Sequence, residues 1–338
     1  MKRLADYIEK HFFSSFLTFF VPLFGIASLI FFVKIVSVTS VIHISFLELL
    51  ELYIFILPQI LFFTLPITFF VAALSSVYQL SFEFELIAIF ALGIAPKKIV
   101  KIFAKNALYL TTLLLIMGLV LIPQAKQLYK GFLVYKRAQI QLNIKPSEFG
   151  HRFGDWYLFM EGKKGNTFIN VALYNRNLSD HENFILAKSA KITNTHGIVE
   201  LFLEKGRAYN YEDGVLKSIA FEGMRIVDTS GGKIFRYTDI AHYWQKALTS
   251  KKRAFDLSFF LFLALFPLAS IYYIAYIGIT NTRYEQKNIF LSALLIIALF
   301  FALAFGLAKP LGLYSLLLLP LWFLAGKRVY MKKIAKRY

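Results

Sequence analysis

Long apolar segments and one long polar segment divide the chain into three parts. Apolar runs of about 20 residues begin at Phe12, Ile54, Ile99, Phe255 and Ile289. This is the length that an α-helix needs to cross ~30 Å of hydrocarbon. A sixth, shorter run extends from Leu311 to Ala325. The pattern predicts an α-helical integral membrane protein with six transmembrane helices, three on each side of the polar segment.

The polar segment, residues 124–250, predicts an inserted all-β domain. Val199, Leu201 and Leu203 alternate with Glu200, Phe202 and Glu204, which is the period of a strand with one buried face. Turn signals occur at Asn194–Gly197 and Asp213–Gly214. Further strands are predicted over Trp156–Met160, Thr167–Tyr174, Phe184–Ile192 and Ile219–Val227. Short strands at this spacing are typical of a sandwich or roll.

Three parts therefore follow along the chain: residues 1–123 with helices one to three, residues 124–250 with the β domain, and residues 251–338 with helices four to six and a basic tail. Composition agrees, because 58% of the residues are hydrophobic and 37 of 338 are Phe. Phe12–Val38 is too long for the core of a cleaved signal peptide, and we expect a retained helix. The chain has no Cys, so disulfides and thiolate metal sites are excluded.

The distribution of Lys and Arg predicts the orientation. Short cytoplasmic loops of inner-membrane proteins are rich in both residues. With the N-terminus inside, the cytoplasmic segments hold most of the short-loop bases: Lys2, Arg3, Lys10, Lys97, Lys98, Lys101, Arg283, Lys287, Lys327, Arg328, Lys332, Lys333, Lys336 and Arg337. Lys251, Lys252 and Arg253 break this pattern, but long translocated domains weaken the rule. We expect both termini in the cytoplasm and the β domain in the periplasm.

Several kinds of chemistry lack a sequence signal. A Walker phosphate loop needs Gly-Lys followed by Ser or Thr, whereas Gly162-Lys163, Gly232-Lys233 and Gly326-Lys327 are followed by other residues. The six His are scattered without metal-binding spacing, and no Ser lies in a Gly-x-Ser-x-Gly elbow. The basic tail is typical of a topology signal beside anionic lipid. We expect no catalytic site, metal, cofactor or nucleic-acid partner in this chain.

The link between the second and third helices, about residues 80–95, is the most informative local feature. Ser81 is a candidate N-cap of a short helix whose first turn contains Glu83 and Glu85. Gly93 and Pro96 are expected to end it. Such a partly apolar helix has two interpretations: an interfacial elbow, or a lever that docks in a groove of a cytoplasmic partner.

In this link the chain resembles the LptF/LptG lipopolysaccharide export permeases. Glu85-Leu86 followed by Ala91-Leu92-Gly93-Ile94 is similar to the coupling-helix pattern of that family, and Pro267-Leu268-Ala269 is similar to its Pro-Leu-Ser. Ala187–Lys191 before the Gly197 turn adds a weaker likeness within the β domain. The likeness covers nearly the whole chain. Phe82 and Phe84 depart from it by making the helix more apolar.

The resemblance implies a jellyroll-like β domain and a permease subunit of an ATP-driven lipopolysaccharide exporter in the bacterial inner membrane. Its implied partners are a paralogous permease, a cytoplasmic ABC ATPase dimer that uses ATP and Mg²⁺, a periplasmic jellyroll bridge protein, lipopolysaccharide and membrane lipid. Glu85, assisted by Glu83, would contact the ATPase, and Gly93 is included in the same coupling site.

A basic residue near the outer end of the first helix, Lys34, matches the family position that holds headgroup phosphates. Snorkelling of Lys34 to the interface is the alternative. Lys309 and the Lys251, Lys252 and Arg253 cluster lie on the same predicted side and are candidates for an anion-binding rim.

Other function classes stay open at this point. A permease of another ABC-type exporter, for lipoproteins or peptides, would share the layout. A membrane scaffold or sensor would need no ATPase, and a membrane-embedded enzyme would place a cluster of buried polar groups at one membrane depth.

Overall fold

The computed structural model describes residues 2–39, 44–142, 151–153, 155–165, 167–176, 182–195, 198–212, 215–227, 238–280 and 288–336. The chain divides into two compact units. One consists of Met1–Ser37, Phe46–Lys126 and Thr238–Tyr338, and the other of Val38–Ser45 and Gln127–Tyr237.

The first unit is helical. Its helices are α1 (Lys2–Thr39), α2 (Phe46–Phe82), α3 (Glu85–Ala91), α4 (Pro96–Ile116), α5 (Ile122–Leu142, which continues into the second unit), α6 (Ile240–Gln245), α7 (Lys251–Ala269), α8 (Ile271–Gly278), α9 (Ile289–Leu311) and α10 (Leu318–Tyr330). A π-helical segment over Met117–Leu121 joins α4 to α5, and a 3₁₀ segment over Gly312–Leu317 joins α9 to α10. A second π-helical segment covers Met331–Ala335.

Four continuous helical stretches in the described residues are long and apolar enough to cross a membrane: Arg3–Ser37, Phe46–Phe82, Pro96–Lys136 and Ile289–Ala335. A fifth candidate is the bent pair α7 and α8, whose axes differ by 42°. Pro267 lies just before the break, where it removes a backbone donor, and Ser270 separates the two helices. The prediction of a helical membrane protein is confirmed, with four to five candidate spans.

The last of these stretches reverses its direction. Gly312 has φ +54° and ψ −129°, a region essentially restricted to glycine. The Phe300 and Trp322 rings lie 5.3 Å apart, although a straight helix would separate residues at this sequence distance by about 33 Å. The chain therefore turns back at Gly312, and α10 packs mainly against α8.

Phenylalanine rings fill the contacts between the helices. The Phe12 ring of α1 contacts Phe69 of α2 at 5.4 Å and Phe103 of α4 at 5.7 Å between ring centroids. Phe266 of α7 contacts Phe300 of α9 at 4.6 Å. Other rings, such as that of Phe13 at 63% exposure, point away from the chain. The hydrophobic effect does not drive helices together within lipid, so close packing of this kind is a main source of the attraction between them.

The second unit contains one antiparallel sheet. Its strands are β1 (His151–Phe153), β2 (Trp156–Lys164), β3 (Thr167–Arg176), β4 (Glu182–Thr195), β5 (Ile198–Glu212) and β6 (Val215–Val227), in the order β1-β2-β3-β4-β5-β6. All five predicted strands fall within β2–β6, while β1 has no counterpart in the prediction. The antiparallel β domain is thus confirmed. Consecutive strands pair as a meander, whereas a jellyroll requires Greek-key connections, so that topology is not confirmed. The predicted turn at Asp213–Gly214 and part of that at Asn194–Gly197 lie outside the described residues.

A line of five residues crosses the sheet and shifts the alternation of buried side chains. In β4, Ile185 and Ala187 are buried and then Ala190 and Ile192, so the phase slips by one residue at Lys188. The register places the equivalent residues of β2 to β6 side by side. We call this line the crease: Glu161, Asn170, Lys188, Lys205 and Glu222.

Backbone geometry at the crease deviates from a regular strand. Asn170 and Lys205 have φ values of 51° and 50°, which costs a non-glycine residue roughly 1–2 kcal/mol. The slip keeps apolar residues on both sides of the crease on one face. Together they form a single core: Leu158, Met160, Phe168, Val171, Leu173, Ile185, Ala187, Ala190, Ile192, Leu201 and Leu203.

Gly206, next to the crease, provides a test of this packing. A Cβ atom there would lie 2.2 Å from the Leu186 carbonyl oxygen and 2.5 Å from the Phe221 ring. Because a backbone atom has to move, we expect Gly206→Ala to lower the unfolding free energy of the β domain by about 1–3 kcal/mol. Pulse proteolysis of the full-length protein over a urea series measures this change.

Gly162→Ala is the matched control, since a Cβ atom at Gly162 would have no other atom within 4 Å. We expect it to change the unfolding free energy by no more than about 0.5 kcal/mol. Equal stability of the two variants would contradict the described packing.

Candidate functional site

The link between α2 and α4, residues 81–96, forms a sharp turn that we call the elbow. Phe84 has φ +63°, which is unusual for a bulky residue, and it redirects the chain so that α3 begins at Glu85. Gly93, with φ +81°, follows α3, and Pro96 is the first residue of α4. The predicted helix of the elbow is therefore present, but it is only seven residues long.

Ser81 is not the N-cap that the sequence suggested. It lies in the last turn of α2, is 2% exposed, and its hydroxyl donates to the Gly278 carbonyl oxygen over 2.7 Å. The Thr280 amide contacts the same hydroxyl at 3.5 Å. A buried hydrogen bond therefore joins the elbow to the end of α8, and capping is excluded because the hydroxyl is already engaged there.

Close packing supports this junction. A Cβ atom at Gly278 would lie 2.7 Å from Val77 Cγ1 and 3.4 Å from the Leu74 carbonyl oxygen. Glycine is thus what allows α8 to approach α2 so closely. The end of α2, the elbow and the end of α8 form one packed corner of the helical unit.

The two candidate carboxylates of the elbow have different surroundings. Glu85 is half-buried and accepts a hydrogen bond from the Tyr7 hydroxyl, with distances of 2.9 Å to Oε1 and 2.8 Å to Oε2. Glu83 lies in the exposed turn before α3 rather than in its first turn, and its Oε1 accepts from Gln79 Nε2 at 3.1 Å. Tyr7 is a residue that sequence reasoning missed, because nothing in the sequence links it to a position 78 residues away.

The elbow also exposes three large apolar side chains. Phe82 is 60% exposed, Phe84 52% and Leu92 80%. Grouped apolar residues beside a carboxylate are typical of a surface that a partner covers. This elbow surface thus consists of Phe82, Phe84, Glu85 and Leu92.

The predicted basic residues Lys251 and Lys309 come together in a second place. They line one open groove of about 560 Å³ between the start of α7 and the reversal at Gly312. We call it the lysine groove; its other lining residues are Ala247, Leu248, Ala254, Pro310, Leu311, Gly312, Leu313 and Tyr314. Leu248 and Tyr314 are about 80% exposed. Two ammonium groups over an apolar floor suit an anionic amphiphile.

The other predicted bases are not part of the groove lining. Arg253 donates to the Tyr243 hydroxyl, stacks 3.9 Å from the Tyr243 ring centre, and lies 3.5 Å from Asp256 Oδ2. Burial raises the pKa of Tyr243, although Arg253 opposes this shift. Lys252 is exposed at the start of α7. Lys34 is on α1, exposed, with its ammonium 5.8 Å from the Phe31 ring. Arg253 is therefore engaged within the chain, whereas Lys34 points away from it.

The sheet carries a further candidate surface. An open groove of about 850 Å³ beside the crease combines apolar side chains with three basic residues, Lys188, Lys205 and Arg207, and one acidic residue, Glu161. A second groove of about 650 Å³ shares Leu186 and Tyr209 with it. We call the two together the sheet trough; its apolar members include Phe159, Ala172, Phe184, Leu186, Tyr209, Tyr211 and Leu216. The alternation predicted one buried face for the strands, and no residue of this trough was among the predicted site residues.

Comparison with known proteins identifies the family. No curated protein matches the chain. The family model of the lipopolysaccharide export system permease LptF/LptG matches residues 6–326, which include the elbow, the sheet trough and the lysine groove. Members of this family are permease components in the inner membrane. The chain therefore belongs to the LptF/LptG family of lipopolysaccharide export permeases.

Proposed function

We propose that this chain is the permease subunit of an ATP-driven exporter that extracts lipopolysaccharide from the inner membrane. It would pair with a paralogous permease and bind a cytoplasmic ABC ATPase dimer, which supplies the ATP and Mg²⁺ chemistry. The observation that carries the proposal is the family match over nearly the whole chain, together with an elbow that offers a carboxylate and exposed apolar side chains.

Six spans and a two-sided arrangement are part of this proposal. Counting α9 and α10 as separate spans, because the chain reverses at Gly312, gives an even number of crossings. Both termini and the elbow are then cytoplasmic, in agreement with the bases Lys97, Lys98 and Lys101. The lysine groove, Lys34 and the β domain are periplasmic in this arrangement.

The path of the lipid follows from the cost of exposing acyl chains. Each methylene moved from hydrocarbon into water costs about 0.8 kcal/mol, so a many-chained lipid needs apolar cover along its route. The lysine groove would bind the phosphates of the lipid at the periplasmic surface of the inner membrane. The sheet trough would then receive acyl chains on its aromatic residues and phosphates on Lys188, Lys205 and Arg207, and pass the lipid to a periplasmic bridge protein. We expect a jellyroll-like assembly when similar sheets join edge to edge.

The elbow provides the first test. Glu85→Lys places a cation where the proposed ATPase contact needs an anion, so we expect the ATPase to bind at least about tenfold more weakly. Binding of the co-purifying ATPase to the permease in nanodiscs measures this. Glu51→Lys, an exposed charge reversal near the other end of α2, is the control and should not change the affinity. Normal docking of the Glu85→Lys variant would contradict a coupling role.

The lysine groove provides the second test. Lys251→Glu and Lys309→Glu each replace a phosphate partner by a like charge, and we expect each to lower photocrosslinking of lipopolysaccharide from Leu248 roughly two- to fivefold. Lys34→Glu should act similarly if Lys34 holds a phosphate rather than snorkels. The control is Lys101→Glu, an exposed residue near the start of α4. Unchanged crosslinking in both groove variants would remove the groove from the proposed path.

A further inference from the structure

The hydrogen bond between Tyr7 and Glu85 joins the elbow to α1. One hydroxyl lies at nearly equal distances from both carboxylate oxygens, 2.9 Å and 2.8 Å. It therefore occupies the edge of the carboxylate between its two oxygens. A guanidinium that pairs with a carboxylate through two parallel N–H···O bonds uses this same edge. Tyr7 and a bidentate arginine consequently compete for one position on Glu85.

Tyr7 is held in place by the helix that carries it. Its ring contacts His11 edge-on at 4.8 Å, and the next residue, Ile8, is fully buried. Directly after Ile8, Glu9 lies 3.8 Å from Lys105 of α4. The start of α1 is therefore packed against α4, and a movement of the elbow relative to this end of α1 makes or breaks the hydrogen bond.

The rest of α1 is weakly attached to the chain. Its most apolar 18-residue stretch contains no buried residue, whereas 39% of the corresponding stretch is buried in α2. Nearer its other end, the Ser28 hydroxyl lies 2.6 Å from the Tyr53 hydroxyl of α2, and Lys34 follows six residues later. Segments with few buried side chains are the ones that change position most readily. The Tyr7–Glu85 bond is thus placed to link the elbow with the helix that carries Lys34.

We propose that Tyr7 is a positioning residue that holds Glu85 against α1 until a basic side chain of the ATPase displaces it. This inference rests on the proposed function, because it takes the ATPase as the partner of Glu85. A charge-assisted pair is stronger than a hydrogen bond from a neutral hydroxyl, so docking breaks the Tyr7 contact and releases the elbow from α1. The energy of the broken contact reduces the docking affinity, and the release transmits docking to α1.

The test is a double-mutant cycle in the full permease complex, with the co-purifying ATPase as the probe. Tyr7→Phe removes the hydroxyl and keeps the ring. We expect its ATPase dissociation constant to fall about fivefold, the effect of one hydrogen bond of ordinary net strength. In a Glu85→Gln background, the same substitution should have less than a twofold effect. We also expect Tyr7→Phe to hydrolyse more ATP per lipopolysaccharide transported, which a merely structural residue would not cause.

The control is Tyr53→Phe, which removes another hydroxyl between α1 and α2 far from the elbow in sequence, and its docking affinity should equal that of the natural chain. Unchanged or weaker docking of Tyr7→Phe would overturn the proposal, and so would an equal effect in the Glu85→Gln background. If Glu85→Lys still docks normally, the coupling role of the elbow fails as well. If Glu85→Lys abolishes docking while Tyr7→Phe does nothing, the coupling role stands and the Tyr7 contact alone is dismissed.

Discussion

The structure depends on one constraint: the hydrocarbon core of a membrane offers no water to the backbone, so every spanning segment must satisfy its own hydrogen bonds. Helices do this, and chain reversals are then confined to the ends of the spans. In the proposed arrangement, the reversals that we describe lie at such ends. Phe84 and Gly93 bend the elbow, and Gly312 turns α9 into α10. Each lies beside carboxylates or lysines that are at least partly exposed, and therefore each is a place where chemistry with a partner or headgroup is possible.

Connections between helix ends determine how the proposed function operates. The buried Ser81–Gly278 hydrogen bond ties the elbow to α8, and Glu85 ties it to α1 through Tyr7. Movement of the elbow thus acts on two helices. The α8 helix belongs to the bent pair whose other member, α7, begins at Lys251 in the lysine groove. The α8 helix therefore contacts the elbow, and the α7 helix that precedes it begins in the lysine groove.

The sequence predicts features that a repeating pattern records. Continuous apolar runs predicted the spans, and alternation around Leu201 and Leu203 predicted the strand that the structure has. Features that depend on a contact distant in sequence could not be predicted. Ser81 is of a residue type that commonly caps helices, but its hydroxyl bonds to the Gly278 carbonyl oxygen. Nothing in the sequence around Tyr7 indicates its contact with Glu85. The crease is an intermediate case, because the slip from Ile185 and Ala187 to Ala190 and Ile192 is readable in the sequence once a one-residue shift in the alternation is allowed.

The most direct test of the account asks whether the elbow lies on the opposite side of the membrane from the sheet and the Gly312 reversal. The chain has no native Cys, so Leu92→Cys, Ile169→Cys and Tyr314→Cys each provide a single thiol at an exposed position. In sealed spheroplasts treated with a membrane-impermeant maleimide, we predict labelling at positions 169 and 314, and labelling at position 92 only after lysis. Labelling of Leu92→Cys in sealed spheroplasts, or protection of Ile169→Cys or Tyr314→Cys, would contradict the arrangement.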